Sequence, residues 1–372
     1  MPSSIRKLFR AKDPYDENRN NPYFLKGIKK STEAFIQVSQ SYRDICGITD
    51  FSVHKLVTMG DLYKIPIIPT LFLKRNDISA NKKGIITVTS SGTGKKVSVI
   101  SFTLGEIIGM LRMSITLGRV HGLFSPIPTR YFTLGYEPNK NNRRIISKTA
   151  YLSSWYAPGL SRAYALTYKD GEYRLDLDRI IEGLVKSGTG VWPVRIIGFP
   201  SYTYFLLEEM KQRDIICRLP KGSRLLLGGG WKQFAGDEIP KGSLYKLVED
   251  VLGVEDSHIH EFFSAAEHPV LYCSCKRHNF HVPVYGKVII RDVNTLEPLP
   301  KGQIGLVNLL TPLGSNLPLM SIMTDDLGIL HDGTECGCGI PTDYLEILGR
   351  VGVRDIKTCA VGADDYLKDG EV

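Results

Sequence analysis

The chain has 372 residues, 42% of them hydrophobic, and a formal net charge of +8. A chain this long can bury a large core as one big domain or two, which excludes disorder as its overall state. The positive balance does not signal nucleic acid, because the lysines and arginines are scattered through 26–30, 140–144 and 276–277 without a dense basic run; it fits a general affinity for anionic ligands or an acidic partner.

Seven cysteines, an odd count, do not make a disulfide framework, and the cytoplasm is the expected compartment. Residues 1–24 are polar and charged, and the longest apolar stretch, 65–73, is short and broken by Pro66 and Pro69. Neither an export signal nor a membrane span is expected.

Residues 1 to about 80 carry short apolar clusters at 35–36, 53–59 and 65–73, read as helices and an extended crossing segment that wrap a larger core. The apolar run Ile85-Ile86-Thr87-Val88 then leads into Thr89-Ser90-Ser91-Gly92-Thr93-Gly94-Lys95-Lys96. Small hydroxyl residues and glycines let backbone N–H groups crowd around a polyphosphate, and the lysines add positive charge, so the loop reads as a phosphate cradle. It is not a Walker loop, which needs glycine at Thr89 and a hydroxyl at Lys96; taken alone, it also reads as a mobile hairpin turn. From Ser101 to Gly122, Ile107, Ile108, Leu111, Ile115, Leu117 and Val120 recur at helical spacing, with Ser101 as the cap. A helix directly after a phosphate loop points its positive end at the anion.

Residues 126–173 are rich in Gly, Pro, Tyr and Asn and give no clear period. Beyond them Leu177, Ile180, Ile181, Leu184 and Val185 make a helical stripe. A strand at 194–199, a helix at 201–213, a strand at 224–227 and a helix around 244–252 follow. That alternation predicts an α/β fold with a parallel sheet. Runs at 282–292, 305–311 and 319–324 are β-rich and predict a smaller β subdomain.

Four motifs carry chemistry. Gly228, Gly229 and Gly230 follow the apolar strand 225–227 and offer a backbone on which a flat ring can lie, although a tight turn needs the same residues. Glu267 stands behind Ser264-Ala265-Ala266 after a strand, where a carboxylate suits Mg²⁺ beside phosphate oxygens; a solvated surface acid is the other reading. Asp325 and Asp326 end a strand after Thr324 and could hold ribose hydroxyls, or form a plain solvated turn. Arg350 supplies a cation after the strand-like 344–348.

A separate set is suited to a metal. Cys275 and His281 at C-x-x-x-x-x-H spacing, with Cys336 and Cys338 as C-x-C, supply four soft or imidazole ligands for a closed tetrahedral zinc with no water position. Cys273 is a spare for the first place, and His268, His278 and His331 lie close enough in sequence to substitute. Reduced core cysteines are the alternative.

In their order, these motifs resemble the set of the adenylate-forming superfamily of acyl and aryl ligases. Within it, the run from Gly228 is similar to the bacterial acyl-protein synthetase (LuxE) family, or long-chain-fatty-acid protein ligases. The matching stretches are G-G-G-W-K at 228–232, E-H-P at 267–269, C-x-x-x-x-x-H-V-P at 275–283, I-I-R-D-V at 289–293, T-D-D-L-G at 324–328, C-x-C-G at 336–339 and G-R-V-G-V at 349–353. The resemblance covers nearly the whole chain and is weakest before Ile85.

The resemblance implies an α/β fold, the large N-terminal domain of an adenylate-forming ligase with sheets, flanking helices and a small β subdomain. The usual mobile C-terminal domain is expected to be missing, since the tail after Arg350 is short. It divides the chain into a wrapping segment 1–80, a core 81–350 with the β subdomain at about 282–345, and a tail 351–372. It puts ATP phosphates on Ser90, Ser91, Gly92, Thr93 and Gly94 with Lys95 beside them, adenine on Gly228–Gly230, magnesium on Glu267, and ribose on Asp326 with Arg350 nearby. It makes Cys359 the acyl acceptor and implies a fatty acid substrate, acyl-AMP, and an acyl reductase as partner. Two departures stand out: the loop is one residue shorter than the usual S-G-T-T-G pattern, and Ala266 replaces the hydroxyl normally next to the glutamate. A phenylacetate-type CoA ligase and a catalytically idle, ligase-like subunit are the competing readings.

Overall fold

A computed structural model of the protein describes residues 1–75, 84–89, 99–138, 155–169, 172–231, 234, 238–314 and 317–350. These divide into two units, one of residues 1–121 and 264–350 and one of 122–263.

The first unit opens with helices α1 (Ser3–Leu8), α2 (Glu17–Val38) and α3 (Gln40–Ile48). Asp16 caps α2 by accepting the Arg19 N–H at 3.1 Å, and Ser39 caps α3 by accepting that of Tyr42 at 3.3 Å. After the short strand β1 (Ile68–Pro69) and helix α4 (Thr70–Arg75), the strands β2 (Ile86–Thr89) and β3 (Val99–Phe102) pair antiparallel. Helix α5 (Leu104–Val120) follows. Its cap is Thr103 rather than Ser101, because Ser101 is paired to Thr87 within the β2–β3 ladder. Thr103 and Glu106 form a capping box in which Glu106 Oε2 accepts the Thr103 N–H at 2.8 Å.

The second unit is built on β4 (Thr129–Tyr136), β5 (Gly159–Lys169), β6 (Glu172–Leu175), helix α6 (Leu177–Gly188), β7 (Val194–Gly198), helix α7 (Pro200–Gln212), β8 (Arg224–Gly228), helix α8 (Lys241–Leu252) and β9 (Ile259–Ala265). Its strands lie in the order β9-β8-β7-β4-β5-β6. All neighbours are parallel except β5 and β6. This is the predicted α/β alternation, with one omission: β4 and β5 occupy the stretch that gave no period. The physical reason is burial. Every residue of β4 except Arg130 is buried, so the strand has no polar face to alternate with. Ile180, Ile181 and Leu184 of α6 pack with Ile196, Leu206, Leu225, Leu227 and Val248 in one core, and each fully buried side chain of this kind contributes about 1.5–3 kcal/mol.

The first unit resumes with β10 (His268–Cys273), β11 (Phe280–His281), β12 (Lys287–Arg291), β13 (Ile304–Leu310), β14 (Ser321–His331) and β15 (Tyr344–Arg350). Five of these strands form an antiparallel sheet in the order β11-β15-β14-β13-β12, and β1 adds to β14 in parallel through Ile68↔Ile322. Buried Arg291 ties this sheet together, donating to Asn308 Oδ1 at 2.9 Å and to the carbonyl of Tyr63 at 2.8 Å.

Candidate functional site

Cys275, His281, Cys336 and Cys338 converge so that their ligand atoms all lie within 4.8 Å of one another. Cys275 Sγ is 3.6 Å from Cys336 Sγ, and Cys338 Sγ is 3.1 Å from His281 Nε2. Two segments meet here, the turn joining β10 to β11 and the connection between β14 and β15. In the second, Gly337 (φ +66°) and Gly339 (φ +95°) take left-handed backbone on either side of Cys338, which lets the chain fold both thiols inward. Each sulfur receives a hydrogen bond: the Arg277 N–H donates to Cys275 at 3.3 Å, Asn279 Nδ2 to Cys336 at 3.2 Å, and the Ile340 N–H to Cys338 at 3.3 Å. Burial pushes the Cys275 thiol up to about 12. Burial also opposes ionisation of Cys336, but hydrogen bonds from Asn279 and its two thiol neighbours hold it below the ordinary cysteine value.

The alternates named from sequence do not join this set. Cys273 is buried in β10 with its sulfur toward the Ser274 carbonyl, His268 Nε2 meets the Tyr272 hydroxyl at 3.0 Å, and His331 Nε2 meets Glu346 at 2.7 Å. Sequence reading missed Asn279, the Thr342 carbonyl and the two N–H donors. The last three are backbone groups, which leave no mark in residue type.

Glu267 sits in the turn between β9 and β10 and is only 5% exposed, so it is not a solvated surface acid. Its Oε1 is buried and accepts no hydrogen bond among the described residues. A buried carboxylate oxygen in that state is costly without a cation or a proton, and this donor fits a Mg²⁺ that keeps waters and phosphates as its other ligands. Asp325 and Asp326 lie within β14 rather than at the end of a strand, because pairing with β13 and β15 continues past them to His331. Asp326 is 8% exposed, and its backbone stands directly opposite that of Arg350 in the β14–β15 register. The Asp326 N–H donates to Thr324 Oγ1 at 3.2 Å, Thr324 donates to the Val307 carbonyl at 3.2 Å, and Thr70 donates to Asp325 Oδ2 at 3.3 Å. These bonds hold the Thr-Asp-Asp segment and spare it the solvated turn that sequence left open.

In the second unit, β8 ends at Gly228, paired with Phe262, and a Cβ added at Gly228 or Gly230 would meet nothing within 4 Å. Packing therefore does not require glycine at either position, which agrees with a surface left bare for a flat ligand. The Phe199–Tyr204 stretch packs into an aromatic cluster in which Phe199 meets Tyr202 and Tyr204 meets Trp231. In the first unit, α5 buries Glu106, Gly109, Met113, Leu117 and Gly118, while Ile108, Leu111 and Ile115 of the predicted stripe are exposed. Ser90, Ser91, Gly92, Thr93, Gly94, Lys95 and Cys359 lie outside the described residues, as does the side chain of Arg350.

The chain is 26% identical over 344 residues to the long-chain-fatty-acid–luciferin-component ligase of Aliivibrio fischeri, covering 89% of this chain and 85% of that one. It is 24% identical over 311 residues to the ligase of the same name from Vibrio harveyi, covering 81% and 78%. Among solved structures, 2-hydroxyisobutyryl-CoA ligase in complex with 2-HIB-AMP superposes with a TM-score of 0.68 at 13% identity, over 91% of this chain and 70% of that one, a likeness of fold. No helix among the described residues is long and apolar enough to cross a membrane. The sequence profile described as LuxE, acyl-protein synthetase, matches residues 3–367, and the chain belongs to that family.

Proposed function

We propose that this chain activates a long-chain fatty acid with ATP and transfers the acyl group to its own Cys359. A carboxylate oxygen attacks the α-phosphorus and the bond to the β-phosphate oxygen breaks, giving acyl-AMP and pyrophosphate. The Cys359 thiolate then attacks the acyl carbonyl and AMP leaves, so the chain carries a thioester for a partner acyl reductase to turn into aldehyde. The reaction takes place in the cytoplasm. Residues 81–350 form the adenylating core, behind the wrapping segment 1–80, and 351–372 the acceptor tail.

The observation that carries this reading is the acyl-protein synthetase match across residues 3–367, a span that takes in Glu267, Asp326 and Cys359 together. The names of the two ligases support the long-chain substrate. In this reading the loop Ser90–Gly94 and Lys95 receive the phosphates, adenine lies on Gly228–Gly230, Asp326 accepts from the ribose hydroxyls with Arg350 nearby, and Glu267 holds Mg²⁺. Mg²⁺ would neutralise charge on the phosphate oxygens, and the residues' own work is positioning and charge stabilisation. Zn²⁺ on the Cys/His cluster is the second metal, and it is structural.

Intact-protein mass spectrometry after incubation with ATP and a panel of fatty acids tests the reading. The expected result is a mass increase of one acyl group, removed by hydroxylamine and absent in Cys359→Ser, which still releases pyrophosphate. Acylation of free coenzyme A with the chain unlabelled would make it a CoA ligase instead. Absence of pyrophosphate release with every acid would make it a catalytically idle subunit.

A further inference from the structure

We propose that Cys275, His281, Cys336 and Cys338 hold one zinc ion as a closed structural site, and that this ion clasps the edge strand β11 to β15. The donor set fits zinc on three independent grounds.

The first is size. Tetrahedral zinc with Zn–S of ~2.3 Å and Zn–N of ~2.0 Å sets its ligand atoms roughly 3.5–3.8 Å apart. The Cys275–Cys336 sulfur pair at 3.6 Å lies in that range, the Cys338–His281 pair at 3.1 Å is slightly tighter, and all four atoms fall within 4.8 Å.

The second is the outer shell. A carbonyl oxygen can only accept, so the 2.6 Å contact between His281 Nδ1 and the Thr342 carbonyl puts the ring proton on Nδ1 and leaves the Nε2 lone pair facing the cluster. Each sulfur takes a hydrogen bond from Arg277, Asn279 or Ile340, the arrangement a thiolate needs to share its charge.

The third is ligand count. Four protein ligands leave no position for water or substrate, and His281, Cys275 and Cys336 are 0, 5 and 8% exposed. Three thiolates with one imidazole are soft donors suited to a d¹⁰ ion without redox chemistry. That is a structural site rather than a catalytic one.

The sheet supplies the reason for the clasp. β11 is a two-residue strand at the end of its sheet, paired to β15 through Phe280↔Leu345 and His281↔Tyr344 and bridged on its other side to Ser274 through Phe280 alone, too short to hold itself in place. The ion would join residues 61 and 57 positions apart in sequence, and a cross-link of that span removes much of the freedom of the unlinked chain. It sits at the His331↔Tyr344 end of the β14–β15 pair, while Asp326↔Arg350 lies toward the other end. A register irregularity between Leu327 and Gly328 separates the two ends, so the clasp bears on the pairing of Gly328–His331 with β15.

Metal analysis of the purified full-length chain, with thermal unfolding alongside, tests this without ATP or fatty acid, so an inactive ligase would leave the result unchanged. The expected outcome is one zinc per chain, lost in Cys336→Ser and Cys338→Ser together with a lower thermal midpoint, and retained in Cys273→Ser. Should the ligand variants fail to fold, wild-type chain stripped by a chelator and refilled with Co²⁺ is expected to develop the visible absorption of a tetrahedral thiolate site and to regain its midpoint. The proposal is overturned by zinc well below one per chain in folded wild type with no Co²⁺ spectrum. It is equally overturned if Cys273→Ser releases as much metal as Cys336→Ser.

Discussion

The His281 ring donates Nδ1–H to the main-chain carbonyl of Thr342 at 2.6 Å, and this bond decides which nitrogen is left for the three cysteines. Thr342 is itself buried, at 1% exposure, in the connection that also carries Cys336 and Cys338. The same loop therefore delivers two ligands and orients the imidazole that the other segment supplies. His281→Cys should keep the metal, because a fourth thiolate completes the same tetrahedron, whereas His281→Phe should lose it on dialysis against a chelator. Metal retention equal in the two variants would show that His281 is not a ligand.

Glu267→Gln removes charge and keeps shape. Since Oε1 has no hydrogen-bond partner among the described residues, the variant should unfold close to the wild-type temperature, while pyrophosphate exchange driven by fatty acid falls ~100-fold or more. Exchange at the wild-type rate in a folded Glu267→Gln chain would remove magnesium from this residue.

Glu106 is buried at 4% exposure and serves two backbone donors, Thr103 N–H through Oε2 at 2.8 Å and Gly314 N–H through Oε1 at 3.2 Å. Thr103→Ala deletes one side of the capping box and should cost ~1 kcal/mol. Glu106→Ala orphans both donors and should cost more, ~2 kcal/mol or above. Urea unfolding of the two variants gives the comparison, and equal losses would mean that the bond to Gly314 contributes nothing.

Burial holds His268 neutral, lowering its pKa from 6.5 to about 3. Between these values the unfolded chain binds a proton that the folded chain refuses. Its effect on stability is therefore absent above about pH 6.5, and stability falls as pH drops through the window, at ~1.4 kcal/mol per pH unit. His268→Gln should flatten the dependence of unfolding free energy on pH between about 6 and 5. An unchanged slope in the variant would mean that His268 does not titrate in this window.

Much of the architecture is legible in residue pattern, because α6, α7 and α8 each bury one stripe and the strands between them are apolar runs bounded by turns. β4 was not legible, because a central strand buried on both faces has no alternation, and Gly135 and the tyrosines around it look like loop; β5 was missed as well, being exposed over Gly159–Arg162 and buried over Tyr164–Thr167 without alternating. The α5 stripe misled in the opposite sense. Its apolar spacing is real, yet the tertiary structure buries the Glu106, Gly109 and Met113 face and leaves Ile108 and Ile115 outside.

What the sequence determined by itself was chemistry. C-x-x-x-x-x-H and C-x-C name their ligands because soft donors at short spacing are few, and Glu267 and the Thr324-Asp325-Asp326 segment stand out because acids after apolar strands need a reason. What only the tertiary structure decided was state and company. Whether Glu267 is solvated or buried depends on what packs over its turn, and whether Cys275 and His281 share one point with Cys336 and Cys338, 61 and 57 residues further on, depends on the pairing of β11, β15 and β14. Long-range pairing is set by the burial of whole faces, which no local stretch of residues encodes.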